Sequence, residues 1–148
     1  MAAAVKDSSK VLENQICFPL YACSREIVKM YSPYLEPLNL TYTQYISLMV
    51  LWEKESVTVK ELGTALYLDS GTLTPLLKKL EARGLVTRQR SKKDERNLIV
   101  TITDEGKALK AKARGIPAKV AASIKLEDED AQTLQRILYK LLDHVNED

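Results

Sequence analysis

The chain has a single histidine, His144, and only two cysteines and five glycines in 148 residues. With so few of these, most catalytic chemistry has nothing to build on. Neither the CxxC nor the HExxH spacing of a metal site occurs, and no glycine-rich loop is present to cradle a phosphate. A cysteine nucleophile would lack an obvious histidine base, because His144 lies in an acidic C-terminal stretch and reads as solvated. No enzyme signature, metal site or cofactor site is therefore expected. Long apolar runs are missing too, since none approaches the roughly 18 residues that would cross a bilayer. The opening "MAAAVKDSSK" lacks the apolar core of a signal peptide. The expected setting is the cytoplasm, away from any membrane, where thiols stay reduced. Cys17 and Cys23 are six positions apart, so on a helix they point away from each other and cannot bridge.

What is present is ordinary in amount and uneven in place. Hydrophobic residues make up 45% and charged residues 28%, enough for one domain with a buried core. The formal net charge of +2 conceals two opposed regions. Between Lys78 and Arg96, eight basic residues face only Glu81, Asp94 and Glu95, a local excess of +5. From Glu127 onward, seven acidic residues face Arg136 and Lys140, a local excess of −5. A basic stripe attracts phosphate at close range, yet a charge run is as readily a solvated surface. The elements around the stripe decide between the two.

A first helix is expected from about Asn14 to Tyr31, with Ile16, Leu20, Ile27 and Val28 as a broken apolar stripe. Pro19 is best tolerated in a first turn, so this helix either starts late or bends there. "YSPYLEPLNL", with Pro33, Pro37 and Asn39, reads as a connector. Thr41 and Gln44 have capping-box spacing ahead of a helix carrying Tyr45, Leu48, Met49 and Trp52, with Trp52 read as core. Thr58 and Glu61 repeat that spacing before a short helix ending near Leu66. After the turn "YLDS", Asp69 or Ser70 can cap a helix whose Leu73, Leu76, Leu77 and Leu80 form one face, and Gly84 can end it. Two short helices joined by such a turn make a helix-turn-helix. "LVTRQRSKKDERNLIVTIT" then alternates as a β-hairpin with a polar tip. Two further helices follow, one from about Asp104 capped by Thr103, the other carrying Leu134, Ile137, Leu138, Leu141, Leu142 and Val145.

The expected fold is thus mainly α (α+β), a winged helix-turn-helix. Residues 41–103 form the DNA-binding region, and the N- and C-terminal helices (11–40 and 104–148) form a dimerisation region. The terminal helices carry more apolar residues than a small winged domain can cover, which implies a homodimer. In such a fold the second helix of the motif enters the major groove with its N-terminal residues towards base edges. Those residues are Ser70, Thr72 and Thr74, with Asp69 as the cap. Lys78 and Lys79 suit phosphates, as do Arg88 and Arg90 on the first strand of the hairpin and Lys92, Lys93 and Arg96 near its tip. A guanidinium at the tip can enter the narrow minor groove, and Asp94 can hold Arg96 by a charge-assisted bond. Joined to this architecture, the basic stripe points to double-stranded DNA.

"LDSGTLTPLLKKLEARGLVTR" followed by "KDERN" resembles the winged-helix core of the MarR family of regulators. "LENQICFPLYACSREI", taken with "YLDSGTLTPLLKKLE", is similar to its organic-hydroperoxide-sensing (OhrR) subgroup, which includes related staphylococcal thiol-based regulators. The resemblance runs from Leu12 to the last helix. It implies a homodimeric repressor on an inverted-repeat operator, with a reactive cysteine near the start of the first helix, here Cys17. It also implies that two tyrosines of the partner subunit bond the cysteine sulfur, and the matching positions are Tyr31 and Tyr42. Tyr21 and Tyr45 are nearby aromatics. Organic hydroperoxide would convert Cys17 to a sulfenic acid and release the DNA. With no cysteine beyond Cys23, the chain resembles the one-cysteine type, in which a low-molecular-weight thiol then forms a mixed disulfide on Cys17. Pro19 and Cys23 depart from the subgroup's pattern.

The chemistry is consistent on its own terms. Thiolate is the nucleophile, and helix N-termini and hydroxyl donors favour it. Two other readings stay open on the sequence. One keeps the fold but makes the signal a non-covalent small aromatic ligand in the dimer cleft, with Cys17 structural. The other is a thiol enzyme that reduces peroxides, which lacks a resolving cysteine and an arginine–threonine pair nearby.

Overall fold

Three threonines mark where helices begin. In the computed structural model, which describes residues 10–147, Thr41 Oγ1 accepts the Gln44 N–H at 3.2 Å and Gln44 Oε1 accepts the Thr41 N–H at 3.0 Å. Thr58 and Glu61 make the same reciprocal pair at 3.0 and 2.8 Å. Thr103 Oγ1 accepts the Gly106 N–H at 3.1 Å and donates to the Gly84 carbonyl at 2.6 Å. Each cap satisfies backbone donors that a helix start leaves unpaired.

The elements in chain order are α1 (Cys17–Leu35), a 3₁₀ turn (Glu36–Leu38), α2 (Tyr42–Lys54), β1 (Ser56–Thr58), α3 (Val59–Leu66) and α4 (Ser70–Ala82). Then come β2 (Val86–Arg90), β3 (Leu98–Ile102), α5 (Asp104–Ala113), α6 (Ile116–Ile124) and α7 (Asp128–Val145). The chain falls into two compact units, one running to Arg114 and one from Gly115.

In the first unit the sheet is antiparallel with order β1-β3-β2, pairing Val57 with Val100 and Thr87 with Thr101. The helix-turn-helix and the hairpin stand as expected, and β1 is additional. Only three residues long, β1 owes its strand character to distant partners: Ser56 Oγ lies 2.8 Å from Thr101 Oγ1, and the Ile102 N–H donates to the Glu55 carbonyl. Leu48, Leu51, Leu62, Leu73, Leu77, Leu80, Val86 and Val100 are all under 2% exposed and form the core shared by α2, α3, α4 and the sheet. Gly63 shapes the turn before α4. A Cβ there would lie 2.6 Å from the Leu68 carbonyl oxygen, and the Gly63 carbonyl accepts the Leu68 N–H.

Three expectations need correction. Helix α1 does not stop at Tyr31 but continues through Pro33 to Leu35, because burying Leu35 (2% exposed) offsets the bond the proline cannot make. The connector is correspondingly short, ending at Asn39 in the left-handed conformation (φ 53°). Pro19, at the other end, is the third residue of α1, where its missing N–H would have had no partner inside the helix. The stretch after Asp104 is two helices, α5 and α6, separated at Gly115, whose φ of +85° suits glycine. In the second unit, α7 leaves Leu134, Ile137, Tyr139, Leu141 and Val145 exposed.

Candidate functional site

Helix α4 presents the residues singled out for the groove. Asp69 caps it, its Oδ1 accepting the Thr72 N–H at 2.7 Å, and these bonds from Thr72 hold the Asp69 carboxyl below its ordinary range. Ser70, Gly71 and Thr72 are exposed on the first turn. Thr74 is half-buried and its hydroxyl donates to the Ser70 carbonyl at 2.8 Å, which leaves that oxygen only its acceptor side for another molecule. Lys78 and Lys79 are exposed along the same helix, and Leu73, Leu76, Leu77 and Leu80 bury the opposite face.

The wing is braced from within. Arg96 Nε lies 3.1 Å from Asp94 Oδ1 and its Nη2 3.2 Å from Oδ2, and the Arg96 N–H donates to Oδ1 as well. The guanidinium lowers the Asp94 pKa while the arginine itself stays 89% exposed. Arg90 Nη1 donates to the Glu95 carbonyl at 2.9 Å, closing the hairpin, and Lys92 and Lys93 are exposed at the tip.

Arg88 does not join this group. Its guanidinium turns onto Glu81 of α4, with Nη2 3.1 Å from Oε1, and its side chain is only 17% exposed. Its buried Nε finds no acceptor among the described residues. Arg88 therefore ties β2 to α4, with its guanidinium turned onto Glu81.

The thiol and the tyrosines occupy opposite ends of α1. Cys17 is its first residue and is exposed, at an N-terminus with no side-chain cap. Tyr31 is fourteen residues further on, about 21 Å along the axis at the usual rise. Tyr42 opens α2 with its ring centroid 4.9 Å from that of Tyr31. Tyr45 completes the cluster at 5.9 and 6.4 Å from those two and meets Trp52 edge-on at 6.2 Å. Trp52 Nε1 donates to the Gly106 carbonyl, so it serves packing, as expected. Burial raises the pKa of all three tyrosines, and the neighbouring phenols raise those of Tyr42 and Tyr45 further. They are neutral hydroxyl donors at ordinary pH. Tyr21 stands one turn beyond Cys17, exposed, with the Arg25 guanidinium 5.5 Å from its ring centre. Cys23 is also exposed.

One guanidinium that sequence reasoning passed over is Arg83, the C-cap of α4. It donates from Nη1 to the Asn39 carbonyl and from Nη2 to the Leu38 carbonyl at 3.0 Å. Its partners are more than forty residues away, so no local pattern signals it. Among the described residues no helix is long and apolar enough to cross a membrane, and no cluster of His, Cys, Asp or Glu is placed to hold a metal.

Comparison with known proteins places these features in context. The sequence pattern of the family described as transcriptional regulator SarA/Rot matches residues 29–113. The organic hydroperoxide resistance transcriptional regulator of Bacillus subtilis is 51% identical over 136 residues, 92% of each chain. The solved structure of reduced AbfR bound to DNA superposes with a TM-score of 0.75 at 37% identity, covering 92% of this chain and 95% of that one. AbfR, from Staphylococcus epidermidis, also matches in its overoxidised, DNA-bound form, with a TM-score of 0.73 at 36% identity over 90% and 94% of the two chains.

Proposed function

Since the chain belongs to the MarR family of winged-helix transcriptional regulators, in its organic-hydroperoxide branch, we propose that it is a homodimeric repressor whose Cys17 senses organic hydroperoxides. The observation that carries this reading is the separation of Cys17, at the start of α1, from Tyr31 near the end of that helix and from Tyr42 at the start of α2. One protomer cannot join them, whereas a second copy with its α1 antiparallel would bring each thiol to the other's tyrosines. Each unit by itself has an exposed apolar face for a second copy to cover: Leu12, Ile16, Phe18 and Leu20 near the start of α1 in the first, and Leu134, Ile137, Leu141 and Val145 on α7 in the second. Exposed apolar residues in such continuous sets mark interfaces. The helices of 11–40 and 104–148 then form the dimerisation region.

The thiolate sulfur attacks the terminal oxygen of the hydroperoxide. The O–O bond breaks, an S–O bond forms, and the alkoxide leaves as an alcohol after taking a proton. Cys17 becomes a sulfenic acid, oxidised by two electrons. A low-molecular-weight thiol then displaces water to give a mixed disulfide, in keeping with a reducing cytoplasm. In the reduced state Tyr31 and Tyr42 donate to the sulfur. Oxidation enlarges and repolarises it, so those bonds must be remade and the two subunits shift.

On DNA the two α4 helices occupy successive major grooves of an inverted repeat, about 34 Å apart. Ser70, Thr72 and Thr74 face bases and nearby phosphates, with Asp69 setting the start of the helix. Lys78, Lys79, Arg90, Lys92 and Lys93 neutralise phosphate, and Arg96, held by Asp94, enters the minor groove. A gel shift with and without cumene hydroperoxide tests the proposal: wild type should release the operator and Cys17→Ser should retain it. Equal release of both proteins would remove Cys17 as the sensor.

A further inference from the structure

We propose that Arg83 is the positioning residue that couples the tyrosine cluster to the reading helix, an inference that rests on the thiol-release reading above. Arg83 grips two consecutive carbonyls, Leu38 and Asn39, with the two prongs of one guanidinium. The planar fork fixes direction as well as distance, which an ammonium group cannot do.

What it grips is the joint between the two tyrosine-bearing helices. The Asn39 N–H donates to the Glu36 carbonyl, and the Leu40 N–H donates to the Leu35 carbonyl at the end of α1. Asn39 holds the left-handed conformation, and Thr41 then caps α2, whose first residue is Tyr42. Tyr31 lies one turn before Leu35. No slack separates the cluster from the gripped carbonyls, because every residue from Leu35 to Tyr42 belongs to a helix, a bonded turn or a cap.

On its other side Arg83 ends α4, and its backbone N–H donates to the Lys79 carbonyl. Helix α4 is thirteen residues long, a stiff rod of about 20 Å. A displacement applied at Arg83 is therefore carried along the rod to Ser70 and Thr72, the end assigned to bases in the reading above. Neither Arg83 prong is needed to build the core, since the apolar face of α4 is buried by its four leucines. The ion pair Glu81–Arg88 fixes α4 to the wing, so α4 and the wing move together while Arg83 links them to the sensor.

The test compares wild type, Arg83→Ala and Arg83→Lys, the last retaining charge without the fork. Operator affinity is measured by fluorescence anisotropy on fully reduced protein and on protein whose Cys17 is fully oxidised, as verified by mass spectrometry. The rate of Cys17 oxidation is followed in parallel. The expected result is unchanged oxidation, a reduced-state affinity close to wild type, and an oxidised-to-reduced affinity ratio that collapses by about tenfold or more towards one. A wild-type ratio in both variants would overturn the proposal, even with lower thermal stability or uniformly weaker binding, because a merely structural strut would change both states alike. If Arg83→Ala does not fold, Arg83→Lys carries the decision. A wild-type protein that keeps its operator after complete Cys17 oxidation would instead sink the thiol-release reading and this coupling with it.

Discussion

Glu81 and Arg88 face each other across the junction of α4 and β2, joined by Nη2 to Oε1 at 3.1 Å and by the Arg88 backbone N–H to Oε2 at 3.1 Å. An arginine in a basic stripe is thereby withdrawn from the surface. Arg88→Gln should leave the salt dependence of DNA binding unchanged, whereas Arg90→Gln should lower the slope by about one. A slope lowered by about one in Arg88→Gln would return Arg88 to the contact set.

The same pair predicts an acid sensitivity. Arg88 holds the Glu81 carboxyl below its ordinary range, so its contribution to stability is fully present above the unfolded value. It is lost as the pH falls through the lowered folded value. Glu81→Gln should melt lower than wild type at neutral pH, and the gap should close on acidification. A gap independent of pH would mean that the charge of Glu81 does not matter.

Asp94 and Arg96 predict an effect on the wing. Asp94→Asn removes the charge that aligns the guanidinium, without touching the core. Operator binding should weaken by a smaller factor than in Arg96→Ala, and only the arginine variant should lose about one unit of salt slope. Anisotropy titrations over a salt series would separate the two variants.

Tyr42→Phe keeps the tilted ring contacts and removes one hydroxyl. A hydrogen bond to a charged group contributes about 1.5–3 kcal/mol, so Cys17 oxidation should slow by about tenfold or more. Mixing Cys17→Ser with Tyr42→Phe protomers should restore one fast site per mixed dimer, because the intact thiol then meets the intact tyrosine of its partner. If mixing restores nothing, the tyrosine acts within its own chain.

Gly63→Ala tests the turn into α4. Its Cβ would press on the Leu68 carbonyl oxygen, a backbone atom with little freedom to yield. A destabilisation of about 1–3 kcal/mol by denaturant titration is expected, with weakened operator binding. Wild-type stability would show that the turn relaxes.

The parts of this molecule that can be read from its sequence are those governed by neighbours. The caps at Thr41, Thr58, Asp69 and Thr103 each involve residues three apart, and the leucines of α4 repeat every three or four. The wing pair Asp94–Arg96 spans two residues. What escaped depends on partners outside the local pattern: β1 on Thr101, the continuation of α1 on the burial of Leu35, Arg88 on the facing of β2 and α4, and Arg83 on the turn between α1 and α2. The tyrosine cluster lies between these cases. Resemblance named Tyr31 and Tyr42, but only folding shows Tyr45 and Trp52 extending their ring cluster into the core.

The distance between Cys17 and Tyr31 along a single helix has a consequence in mass action. If the sulfur's hydroxyl donors belong to a second copy, an isolated protomer carries an ordinary surface thiol and not a sensor. Reactivity towards peroxide then rises with protein concentration through the monomer–dimer equilibrium. Operator DNA, by holding two protomers together, would keep the sensor assembled at concentrations where free protein has lost it. The repressor would be most responsive where it is bound.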